Sequence, residues 1–205
     1  MQRLLVFGVL LALGTASGSV AVVERRSLTV EDHPAAGRPA MLTVYGASDA
    51  QDRRLEDALR RFEEADLALP PLAVVFHDDQ APCHDHPGVF LSQPDPWEIH
   101  LCSESVEWVY EHELAHAWIE YNLGAQQRQA FMDLGSYETW NDKSYPWNER
   151  GTEGAAVVIQ QAISGLPLPQ VLSDKTKRLH VDGYQLLVGD RSPRFTAWLD
   201  KYSDG

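Results

Sequence analysis

The stretch Val109-Tyr110-Glu111-His112-Glu113-Leu114-Ala115-His116-Ala117-Trp118-Ile119 places two histidines four residues apart. On a helix, residues at that separation lie on one face a turn apart, so His112 and His116 can aim two imidazoles at a single point. Neutral imidazole is a good ligand for zinc, and two such ligands leave room for a third protein group and a water. Glu113 sits one step round the helix, where its carboxylate reaches that water without binding the metal and takes its proton as the water attacks a carbonyl. Val109, His112, His116 and Ile119 share a face, whereas Glu107, Glu111 and Glu120 lie elsewhere. The histidines are therefore expected to point inward. This pattern predicts metal-assisted hydrolysis. A chain with eight histidines also reaches such a register by coincidence on a solvated helix, and that alternative predicts indifference to chelators.

Ser103 or Ser105 can cap this helix, with Glu104 and Glu107 complementing the positive end of its dipole, and Gly124 stops it just after Leu123. Upstream, Leu42-Thr43-Val44-Tyr45 predicts a first strand. Leu55, Ala58, Leu59 and Phe62 recur at helical spacing between Asp49 and Asp66, and Leu72-Ala73-Val74-Val75-Phe76 reads as a buried strand. Gly88 to Leu91 and Trp97 to Leu101 flank a Pro-rich turn and read as a hairpin. Downstream, helices are expected over about 126–134, 152–164, 175–188 and 192–202. Glu24 to Gly37 reads as a linker or a short edge element.

A third metal ligand is offered by Trp147-Asn148-Glu149-Arg150-Gly151-Thr152-Glu153-Gly154-Ala155-Ala156. His-Glu-Leu-Ala-His followed by a glutamate opening an apolar helix resembles the gluzincin branch of the zincin metallopeptidases, over residues 97 to 165. The resemblance implies an α+β fold, a small mixed sheet packed against an active-site helix with a mostly helical C-terminal half. It also implies zinc as the cofactor, peptide or protein substrates, and an edge strand beside the cleft along which a peptide lies, either Gly88 to Leu91 or Trp97 to Leu101. Glu153-Gly154-Ala155-Ala156 matches the Glu-x-x-Ala of small secreted gluzincin-like proteins, while Asn148-Glu149 with Glu153 matches thermolysin-like enzymes. Gly151 and Thr152 look like a helix start and leave Glu149 in the preceding loop, which favours His112, His116 and Glu153 as the ligands, with Glu113 as the base. In the thermolysin-like alternative Glu149 and Glu153 exchange roles.

A net charge of −13 excludes nucleic acid and anionic membrane surfaces as expected partners, since both are bound through clustered Lys and Arg. Arg3, the apolar run Leu4 to Leu13 and the small residues Gly14 to Ala21 read as a signal peptide over 1–23, with an uncleaved membrane anchor as the alternative. Residues 24–205 then form a single extracytoplasmic domain. In that compartment Cys83 and Cys102, the two cysteines of the chain, are expected to pair. That pairing argues against Cys83-His84-Asp85-His86 as a second metal cluster. Tyr184, His180, Tyr145 and Tyr137 are candidate oxyanion donors. The six tryptophans are expected mostly in the core, with Trp140 and Trp147 at a substrate groove. The competing functions are a zinc-binding interaction or structural domain without catalysis, and a metal-free domain.

Overall fold

A computed structural model describes the two-residue strand Arg26–Ser27, residues 41–93, 95–102, 106–164 and 173–189, and residue 197. The expected signal peptide, the Ser103 and Ser105 caps, Trp198 and the helix over 192–202 fall outside the described residues. No helix among the described residues is long and apolar enough to cross a membrane.

The strands are β1 (Arg26–Ser27), β2 (Leu42–Tyr45), β3 (Leu72–His77), β4 (Gly88–Leu91) and β5 (Trp97–Cys102). The helices are α1 (Asp49–Glu64), α2 (Glu107–Asn122), α3 (Ala125–Gly135), α4 (Gly151–Ile163) and α5 (Asp174–Val188). The fold is α+β. One mixed sheet runs in the order β1-β2-β3-β5-β4. β2, β3 and β5 are parallel, while β1 and β4 run antiparallel to their neighbours. Parallel neighbours need a crossover, which α1 supplies between β2 and β3. β1 and β4 are the two edges; of the two strands considered for the edge beside the cleft, β4 pairs only with β5 among the described residues, and β5 lies inside the sheet.

Alternation sends Leu42, Val44, Leu72, Val74, Phe76, Ile99 and Leu101 to one face of the sheet, where they meet Leu55, Leu59 and Phe62 of α1 and Tyr110 and Leu114 of α2. Ser48 caps α1 in a reciprocal pair with Gln51, and Ser173 caps α5. By contrast, α2 begins at Glu107 with Val106, which has no polar side chain, in the cap position. Behind α2 lies α4. Ala115 of α2 and Ala155 and Ala156 of α4 are wholly buried, and such small side chains let helix backbones approach closely.

Two expectations from helical pattern need correction. Glu111 was placed away from the interior, yet it is 0% exposed. Its carboxylate is bound by the Arg61 guanidinium of α1, which also reaches Glu107. A buried charge is tolerable only when paired, and the partner comes from a helix 50 residues away. Of the tryptophans, Trp118 is buried and Trp147 is 46% exposed, as expected, whereas Trp108, expected in the core, is 40% exposed.

Cys83 and Cys102 form a disulfide that ties the 78–87 connection to the end of β5. Their separation of 19 residues sets the entropy removed from the unfolded chain. Replacing both cysteines with alanine is expected to cost about 3 kcal/mol in denaturant unfolding; a loss near zero would mean that the 78–87 connection is held by its other contacts.

Candidate metal centre

α2 and α4 together bring His112, His116 and Glu153 to one point. His112 Nε2 and His116 Nε2 are 3.1 Å apart, and Glu153 Oε2 lies 3.3 Å from the first and 3.0 Å from the second. The result is a nearly equilateral triangle of electron-pair donors. Four-coordinate zinc with bonds of about 2.0–2.2 Å spans ligand separations of about this size. A carboxylate only accepts, and a neutral imidazole has one bare nitrogen. Three lone pairs facing one another repel unless a positive charge sits among them, so this donor set fits a divalent cation.

Each ligand position has a local cause. Glu153 occupies the first turn of α4, where the positive end of the helix dipole favours a carboxylate. No side chain caps α4; instead the Gly151 and Thr152 N–H groups donate to the carbonyls of Thr139 and Trp140, each at 2.9 Å. The 137–150 loop thereby fixes where the helix begins and where Glu153 points. In the metal-free chain burial pushes the Glu153 carboxyl up, but hydrogen bonds and charge from protonated His112 and His116 outweigh it and hold it down at about 2; a metal ion would take the place of those protons. Thr152 Oγ1 lies 3.4 Å from His116 Nδ1, which leaves His116 Nε2 for the centre. Among the described residues His112 has no such partner, since its buried Nδ1 makes no hydrogen bond to any of them. Its ring is instead set by the rings of Trp108 and Trp147, with centroids 6.2 and 5.7 Å away.

Glu113 lies beside the triangle on the floor of a cleft of about 840 Å³, whose other wall is β4. Burial pushes its carboxyl up to about 7. Glu153 adds to that shift, while the charge of His112 and a hydrogen bond from the Phe90 main-chain N–H oppose it. The close approach of β4 depends on Gly88. A Cβ there would stand 2.8 Å from Val109 Cγ1 and 2.9 Å from Glu113 Cγ.

The structure thus brings together His112, Glu113, His116 and Glu153. Glu149 is exposed on a short 3₁₀ turn, Trp147–Glu149, and does not line the cleft. None of the four proposed oxyanion donors lines it either. Tyr184 and His180 are buried in α5, and Tyr137 is stacked on Phe131 against Gly135 and Gly154. Tyr145 serves the loop through its carbonyl, which accepts from Arg150. Trp147 does line the cleft, but Trp140 packs beneath the Arg128 guanidinium and against Gly151. His84 and His86 border the cleft while Cys83 is committed to its disulfide. Pattern reading missed Gly88, Phe90, Trp108 and Thr152, because each acquires its role only from an element distant in sequence. No protein-family model matches this chain, nor does any curated protein or solved structure.

Two measurements follow from Glu113 and Gly88. The native state holds the Glu113 proton up to about pH 7, whereas an ordinary glutamate releases it near 4.5. Stability of the metal-free protein therefore falls as pH rises between those values, by about 3 kcal/mol at most. Metal-free Glu113→Gln should match wild type near pH 4 and exceed it at pH 8 by urea unfolding; equal stability at both would mean that Glu113 ionises without cost. Gly88→Ala should cost about 1–3 kcal/mol through overpacking, measured in the same way.

Proposed function

We propose that this chain is a zinc-dependent peptidase of gluzincin type, in which His112, His116 and Glu153 hold the metal and Glu113 is the general base. The convergence of three electron-pair donors beside a buried carboxyl, on the floor of an open cleft, is the observation that carries this reading. A zinc ion in that position supplies Lewis acidity, which makes a water more acidic and polarises a carbonyl.

The chain's own residues account for the rest of the chemistry. Glu113, beside the three donors, can take a proton from the attacking water and return it to the departing amine, the two roles of a general acid–base. The Phe90 N–H holds one face of that carboxylate and Gly88 keeps β4 against it. As the free edge of the sheet, β4 offers unpaired main-chain groups to an extended peptide, and side chains contribute little to such binding. Trp108 and Trp147 provide exposed apolar surface at the cleft, while Lys143 and Arg150 line it with positive charge. These last groups, with His84 and His86, are among the cleft-lining donors available to a developing oxyanion. The disulfide and the apolar, small-residue N-terminal stretch support action outside the cytoplasm.

Wild-type protein should hold one equivalent of zinc that is lost in His112→Ala and Glu153→Ala and retained in Glu149→Ala. Glu113→Gln should keep the metal and lose cleavage of a peptide library by about 10²-fold or more. Absence of zinc from wild type, or undiminished cleavage by Glu113→Gln, would overturn the assignment.

A further inference from the structure

His77 ends β3 and His100 lies in β5, the next strand of the sheet. Phe76, Ile99 and Leu101 enter the core, so alternation puts His77, Glu98 and His100 on the opposite face of the sheet from α2. There they form a chain, with Glu98 Oε2 2.9 Å from His100 Nε2 and His100 Nδ1 3.1 Å from His77 Nε2. The carboxylate can only accept, so it draws the His100 proton to Nε2 and leaves Nδ1 as a bare lone pair. A neutral imidazole carries its proton on either nitrogen. Without a cation the His77 Nε2–H donates to that lone pair; with the proton moved to Nδ1, His77 presents a second lone pair beside it.

The two facing nitrogens stand as far apart as those of His112 and His116, 3.1 Å in both pairs. A ring whose second N–H is held by a carboxylate is the usual arrangement of a metal-bound histidine, and Glu98 provides it. Asp78 and Asp79 add negative charge beside His77. The Cys83–Cys102 disulfide braces β5 here, with Cys83 Sγ 3.5 Å from the His100 carbonyl oxygen. The His100 and Glu98 side chains are 18% and 33% exposed, which gives a cation a path from solvent.

We propose that His77 and His100, oriented by Glu98, form a second metal site that clips β3 to β5 and takes a divalent transition cation. Imidazole donors select zinc or copper over magnesium or calcium. Two protein ligands hold the ion more weakly than the three of the α2–α4 centre, and water completes its shell. The proposal does not depend on the peptidase reading.

Equilibrium dialysis of the full chain against zinc tests it. Wild type should saturate at two equivalents, His77→Ala and His112→Ala at one each, and the double variant at none. Glu98→Gln should weaken the second equivalent about 10–100-fold. His77→Gln, which keeps a polar side chain, replaces the alanine variant if circular dichroism shows the latter unfolded. Saturation of wild type at a single equivalent that survives substitution of His77 would overturn the proposal, as would a second equivalent that persists in both His77 variants. A single equivalent abolished by His77→Ala and indifferent to His112→Ala would instead sink the α2–α4 centre and leave this site standing.

Discussion

Three electron pairs, on His112 Nε2, His116 Nε2 and Glu153 Oε2, share a volume little more than 3 Å across. Only a positive charge among them, protons on the imidazoles or a metal ion, makes that arrangement favourable, and the architecture around them resists their separation. α2 and α4 meet through small side chains such as Ala115, Ala155 and Ala156, which fixes a close helix–helix distance. The first turn of α4 is anchored by the carbonyls of Thr139 and Trp140 rather than by a cap of its own. The core therefore holds ready the geometry that a metal would use, and the ligands need little reorganisation on binding.

The same packing explains the state of Glu113. A carboxyl on the buried side of α2 loses hydration, and β4 closes over it through Gly88 while returning one N–H from Phe90. Desolvation outweighs that hydrogen bond and the charge of His112, so the group is poised near neutral pH rather than near 4.5. Edge strand, Glu113 and the His112, His116, Glu153 cluster are thus coupled, and a change at Gly88 is felt at Glu113 through direct contact. Structure and chemistry coincide in β4, since the strand that limits the sheet also walls the cleft.

The two faces of the sheet are used differently. One is committed to the apolar core beneath α1 and α2. The other carries a polar line of Glu98, His100 and His77, bordered by the disulfide and the acidic turn at Asp78 and Asp79. Glu98 orders the His100 tautomer and leaves its Nδ1 facing His77 Nε2.

The elements were largely legible in the sequence, because alternation and helical spacing are local properties. Strands at 42–45, 72–77, 88–91 and 97–102 and helices from 49, 107, 125, 151 and 174 fall within a few residues of expectation. The pair His112 and His116 with Glu113 was equally legible, since helical geometry alone puts them within reach of one point. Gly151 and Thr152 marked a helix start, and that local cue already favoured Glu153 over Glu149. Local signals could not decide which strand is the edge, which tryptophan faces the cleft, or that Glu111 is buried against Arg61. Each depends on a partner brought from far along the chain, and the His77–His100 pair arises in the same way. Local sequence pattern decided the elements of this protein, and only the close packing of α4 and β4 on α2 brought the candidate site together.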